Sequence, residues 1–235
     1  NGSPWAQSLR SPDGGDNLFL ASIVALRPDT GEYVWHYQTT PGETWDYTAT
    51  QHMILADLEI GGSPRKVIIQ APKNGFFYVI DRTDGSLISA EPYVAVSWAE
   101  RVDPTTGRPV EAAGARYAEG AFLLMPSGLG GHNWHPMSFS PQTGLAYIPA
   151  IHLATNYSDL GFDIDGFQMQ PFVGGFGVNP LPADPPREYP ASLIAWDPIN
   201  QQAAWEIPQQ SGPNGGTLTT AGGLLFQGRA DGRFI

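Results

Sequence analysis

Four stretches of similar form decide the fold: ALRPDTGEYVW (25–35), VIDRTDGSLIS (79–89), FSPQTGLAYIP (139–149) and IAWDPINQQAAW (194–205). Each reads as a short apolar strand, a tight turn and a second strand. In a turn of the kind found in VIDRTDGSLIS, Asp caps the bend and Gly takes the positive φ, while the Trp residues at 35 and 205 can pack between neighbouring sheets. The turn centres, Thr30, Thr83, Thr143 and Asn200, lie 53 to 60 residues apart. That period suits one four-stranded propeller blade plus an insertion. A β-sandwich built of hairpins is the other architecture this pattern allows.

Between these stretches, further runs have strand length rather than helix length: Leu18–Leu26, Lys66–Gln70, Phe76–Asp81, Ala121–Met125, Leu145–Ala150, Ser192–Trp196 and Leu224–Gln227. Pro or Gly falls every few residues, so almost no helix is expected. Two stretches interrupt the repeat, 99–120 and 154–190, and both read as long loops of the sort on which sites are built.

Composition agrees with an all-β chain. The 235 residues include 28 Gly and 22 Pro, about a fifth of the total, against roughly 12% in average usage. With 41% apolar residues, 7 Trp, 9 Tyr and 11 Phe, the chain has enough to fill a sizeable core, which excludes disorder. Twelve basic against 23 acidic residues give a net charge of −11, without the basic footprint of a nucleic-acid binder. The absence of Cys excludes a disulfide scaffold, a thiolate metal site and haem attachment within this stretch. No apolar run approaches the length of a transmembrane segment. The first residues have no signal-peptide anatomy and the last ones stop in a strand, so a piece of a longer protein is expected.

Several residues could carry chemistry. Asp46, in GETWDYTAT, is flanked by Trp45 and Tyr47, whose bulk would raise its pKa toward that of a general base; a turn-capping Asp is the plainer alternative. Lys73, in QAPKNGFFYVID, follows a buried-looking strand and could hold an anionic or quinone oxygen, or stand as an exposed hairpin Lys. In GLGGHNWHPMSF, His132 and His135 lack a further ligand at metal-binding spacing, and Asn133 beside Trp134 reads as an oriented amide in a ligand pocket. The run GPNGGTLTTAGG (212–223) does not have the spacing of a nucleotide-phosphate loop.

Taken together, NGSPW, PGETWDYTAT, PRKVIIQAPKNGFFYVIDRTDG, GGHNWHPMSF, LIAWDP and GGTLTTAGGLLFQG resemble the pyrroloquinoline quinone (PQQ) dependent alcohol dehydrogenases, particularly the branch with an added haem c domain. The resemblance implies part of an eight-bladed β-propeller, with residues 1–235 supplying about four blades of a single PQQ-binding domain. It implies alcohol oxidation by hydride transfer to PQQ, with calcium as Lewis acid and Asp46 as catalytic base. Lys73, Asn133 and Asn214 would contact the cofactor, Asn1 and Asp46 the calcium, and Trp5 and Trp134 would line the substrate pocket. Thr48 stands where lanthanide-dependent relatives carry an extra Asp, which favours calcium. A c-type cytochrome or haem domain outside this chain would accept electrons, in the bacterial periplasm. A non-catalytic propeller scaffold and a PQQ-dependent sugar dehydrogenase are the competing expectations.

Overall fold

The computed structural model describes residues 5–10, 14–160, 163, 165–166 and 181–235. The strands run β1 (Ser22–Leu26), β2 (Tyr33–Gln38), β3 (Ile54–Ile60), β4 (Ser63–Gln70), β5 (Phe76–Asp81), β6 (Leu87–Pro92), β7 (Ala99–Val102), β8 (Pro109–Glu111), β9 (Phe122–Leu124), β10 (Ser138–Ser140), β11 (Leu145–Ile151), β12 (Thr155–Tyr157), β13 (Leu181–Pro182), β14 (Ala191–Asp197), β15 (Gln202–Gln209), β16 (Thr217–Thr219) and β17 (Leu225–Gln227). Among the described residues the one helical element is a 3-10 turn, Gln7–Leu9. Strands β3-β4-β5-β6 and β10-β11-β14-β15 form two four-stranded antiparallel sheets, while β1-β2 and β16-β17 form two-stranded sheets.

The pattern of β5, FFYVID, shows how the sheets stack. All six of its residues are buried. Because side chains alternate across a strand, Phe76, Tyr78 and Ile80 enter one core with Trp35, Tyr37 and Trp98, while Phe77 and Val79 enter another with Ile148, Ile194 and Trp196. Strand β14 repeats the division: Ile194 and Trp196 face the β3–β6 sheet, and Leu193 and Ala195 pack with Tyr147 and Leu225 on the opposite side. The four sheets are therefore layered face to face in chain order, the arrangement of consecutive propeller blades. Burial on both faces explains why these inner strands are continuously apolar rather than alternating.

Three of the turns that gave the repeat share one geometry with the Asp103–Gly107 turn. Gly31, Gly85, Gly107 and Gly144 each have φ between 69° and 77°, and each donates its N–H to the carbonyl four residues earlier. The carboxylates of Asp81 and Asp197 accept N–H groups from their own turns, as the sequence led us to expect, and Asp103 does the same in a turn it did not predict. Trp35 also packs against the next sheet: a Cβ on Gly85 would lie 2.6 Å from its ring, so only glycine allows that approach.

Four expectations need correction. The turn at Thr143 joins β10 to β11, whereas Asn200 joins β14 to β15 of the same sheet, so these two stretches are one blade and not two. The segment 99–120 is not simply a loop: β7 and β8 form a hairpin through the Asp103–Gly107 turn. Within 154–190, β12 pairs with both β9 and β13, although much of that stretch lies outside the described residues. Trp205, unlike Trp35, is 38% exposed and rests on Tyr147 of its own sheet, because it sits on the edge strand β15.

Candidate active site

The segment after β2, residues 39–48, is a loop with almost no exposed surface. A buried loop must satisfy its backbone without a strand ladder, and here side chains do so. Asn74 donates to the carbonyl of Thr39, Tyr117 donates to that of Thr44 (2.6 Å), and the Trp45 indole donates to Ala115 O (2.8 Å). The Tyr47 hydroxyl donates to the Pro126 carbonyl. Trp45 lies 4.9 Å from Trp98 between ring centroids, and the Arg116 guanidinium sits 4.4 Å above it. The loop is thus clamped by aromatic packing on both sides of residue 46.

Asp46 itself adopts φ = 70°, a left-handed conformation that costs a non-glycine residue about 1 kcal/mol or more. Its carboxylate accepts a hydrogen bond from the Lys73 ammonium at 3.1 Å. The Lys73 side chain is only 9% exposed, whereas that of Asp46 is 32% exposed and keeps access to the outside. Burial raises the Asp46 pKa, and the nearby Lys73 charge opposes that shift without cancelling it. The result is a carboxylate more basic than a free one, beside a cation that fixes its direction.

Glu43 is a residue that sequence reasoning missed. It is completely buried, and its Oε1 accepts the backbone N–H groups of Trp45 (2.6 Å) and Tyr47 (2.7 Å). Its Oε2 has no hydrogen-bond partner among the described residues. Burial pushes its pKa up to about 7, against the pull of those two N–H bonds. One signal was available: between Glu32 and Asp57, Glu43 and Asp46 are the only acidic residues, set in a run without Lys or Arg.

The loop carrying Asn133 lies directly on Lys73. Gly131 N–H donates to Lys73 O at 3.0 Å, and a Cβ on Gly130 would fall within 2.4–2.6 Å of Lys73 Cγ, Cα and Cβ. Asn133 donates to Leu129 O (2.8 Å) and accepts from Trp134 N–H, which shapes the loop. His132 is buried, with its ring nitrogens against Ala71 O and His135 O, and burial lowers its pKa to about 4. Trp134 is 69% exposed and stacked on His135. Trp5 donates from its indole to Glu43 O at 3.0 Å, so it stands beside the Asp46 loop.

Asn214 is buried, and its amide is engaged with Gln209, Ser211 O and Ala230 N–H. Its segment reaches the Asn133 loop indirectly, through Thr217 N–H donating to Pro136 O at 2.8 Å. The structure therefore brings Asp46 and Lys73 into contact and sets the Asn133 loop and Trp5 against them. Asn214 stands further along the same chain of contacts. Asn1 lies outside the described residues. Among the described residues no group of three or more His, Asp or Glu side chains could hold a metal ion.

Stacked antiparallel sheets, with a partly exposed carboxylate held by a buried lysine on their connecting loops, define a segment of a β-propeller that carries a polar site. The sequence pattern of the PQQ glucose/ethanol/alcohol dehydrogenase β-propeller domain matches residues 8–112. The quinohemoprotein alcohol dehydrogenase ADH IIB of Pseudomonas putida is 54% identical over 234 residues, which cover 99% of this chain and 34% of that protein. The crystal structure of the quinohemoprotein alcohol dehydrogenase from Comamonas testosteroni superimposes with a TM-score of 0.88 at 52% identity, over 99% of this chain and 35% of that one. A europium-containing methanol dehydrogenase gives a TM-score of 0.80 at 35% identity, over 94% and 38%. Over nearly its whole length the chain is similar to quinohemoprotein alcohol dehydrogenases, and it spans about a third of the length of the curated relatives it matches.

Proposed function

We propose that the protein containing this chain oxidises alcohols with PQQ as cofactor, and that Asp46 is the base. The observation that carries the reading is the contact between a buried Lys73 ammonium and a partly accessible Asp46 carboxylate, in a chain about half identical to quinohemoprotein alcohol dehydrogenases. An ammonium has three N–H donors, and among the described residues Lys73 uses one side-chain hydrogen bond, to Asp46. Donor capacity in a nearly closed site suits the oxygens of a quinone, so these residues fit PQQ.

When bound, PQQ supplies the hydride acceptor and calcium the Lewis acid. The chain's own residues supply the rest. Asp46 accepts the alcohol hydroxyl proton on a carboxylate oxygen, made more basic by burial. Lys73 orients that carboxylate and presents positive charge where charge develops on the cofactor oxygens. Asn133 and Asn214 are the proposed further cofactor contacts, Trp5 and Trp134 the pocket walls, and Asn1 with Asp46 the calcium ligands. Calcium is preferred over a trivalent ion because Thr48, two residues beyond Asp46, adds no carboxylate. On this reading the protein works in the bacterial periplasm and passes electrons to a c-type cytochrome or haem domain.

The test is dye-linked oxidation of primary alcohols by the full-length protein reconstituted with PQQ, with and without calcium. Turnover that needs both is expected. Failure to take up PQQ, or aldose oxidation faster than that of any alcohol, overturns the assignment.

A further inference from the structure

We propose that Glu43 is the positioning residue of the base: by binding the backbone N–H groups on both sides of Asp46, it holds that residue's left-handed backbone so that the carboxylate meets Lys73. This rests on the reading of Asp46 as base. The N–H groups of Trp45 and Tyr47 converge on one oxygen, Oε1, at 2.6 and 2.7 Å. Residue 46, between them, is the one with φ = 70°. Two converging bonds across a single residue fix its backbone more tightly than either could alone.

A turn cap alone does not account for the choice of residue. Burying a carboxyl group is expensive, and Ser or Thr would cap a turn at lower cost. Glu43 is fully buried, and its second oxygen lacks a partner among the described residues. The length of the side chain is the distinguishing property, since the acceptor must span two and four residues ahead at once. Burial also favours the uncharged carboxyl. An uncharged side chain of the same length should therefore serve, whereas a shorter carboxyl should not. The surroundings are already rigid: Trp45 is held by Ala115 O, Trp98 and Arg116, and the Glu43 carbonyl is held by Trp5.

The experiment uses the full-length protein loaded with PQQ and calcium, with PQQ absorbance as the occupancy control. Glu43→Asp keeps the carboxyl group but shortens the arm, and kcat should fall by about 10- to 100-fold with KM nearly unchanged, the size of effect that a displacement of about 1 Å produces. Glu43→Gln keeps the arm and the acceptor oxygen, and should retain kcat within about threefold. A crystal structure of each variant without cofactor gives a readout independent of turnover: residue 46 leaves the left-handed region in Glu43→Asp and stays there in Glu43→Gln. If Glu43→Asp keeps both kcat and the backbone of residue 46, or if Gln proves worse than Asp, the inference is wrong. Asp46→Asn, measured in parallel, separates the two ideas: a fully active Asp46→Asn removes the base reading, while the crystal structures still decide whether Glu43 sets the backbone.

Discussion

Gly130→Ala tests how the Asn133 loop is seated on Lys73. Gly130 has φ = 83°, so a side chain there carries a backbone penalty of about 1–2 kcal/mol. The new Cβ would also stand 2.4 Å from Lys73 Cγ and 2.6 Å from Lys73 Cα and Cβ. One of those atoms is backbone, so a rotamer change cannot relieve the clash, and overpacking of this kind costs about 1–3 kcal/mol more. The sum is about 2–5 kcal/mol. Gly144→Ala is the matched control: its φ is 70°, but nothing lies within 4 Å of the added Cβ, so only the backbone penalty applies. Urea denaturation of the two full-length variants should separate them by at least about 1 kcal/mol, and Gly130→Ala alone should lose PQQ affinity as its loop lifts from Lys73. Equal midpoints and equal PQQ binding would refute the packing described for this loop.

Gly85→Ala should destabilise the protein by about 2–5 kcal/mol for the same two reasons, with Trp35 as the obstacle, and intrinsic fluorescence should report displacement of that indole. The pH dependence of stability can be worked from Glu43, whose pKa is raised from 4.5 to about 7 on folding. The folded state then holds a proton that the unfolded state has lost between those two values, so this residue lowers stability as pH rises through the window, by up to about 3 kcal/mol. His132 has the opposite slope: its pKa falls from 6.5 to about 4, so stability declines as pH drops through that interval. Glu43→Gln removes the first slope, and its stability relative to the parent should grow between pH 5 and pH 8 in urea midpoints. A constant difference would show that Glu43 does not titrate as its burial implies.

Much of the fold was legible because tight turns and inner strands have local signatures. Strand β5 was placed at Phe76–Asp81 from its sequence, and β11, β14 and β17 to within a residue or so at their ends. Phase was not legible. The turns at Thr143 and Asn200 look alike locally, but which pair of strands each joins depends on the insertion between β11 and β14, which no local rule reports. Asp46 and Lys73 were singled out by their surroundings in sequence, aromatic neighbours for one and a strand end for the other. Their contact crosses 27 residues and is decided by the turn of the buried loop. Glu43 escaped notice because its role is to bind backbone, and backbone positions carry no residue code.

Alcohol oxidation at this site depends most directly on the proton acceptor. Asp46→Asn in the full-length protein keeps a side-chain oxygen able to accept from Lys73, yet it cannot take a proton from an alcohol. Steady-state alcohol oxidation at saturating PQQ, with a calcium titration and PQQ absorbance alongside, should show kcat reduced by about 10²–10⁴ with the cofactor still bound. A variant with full PQQ occupancy and near-parental kcat would show that Asp46 is not the base.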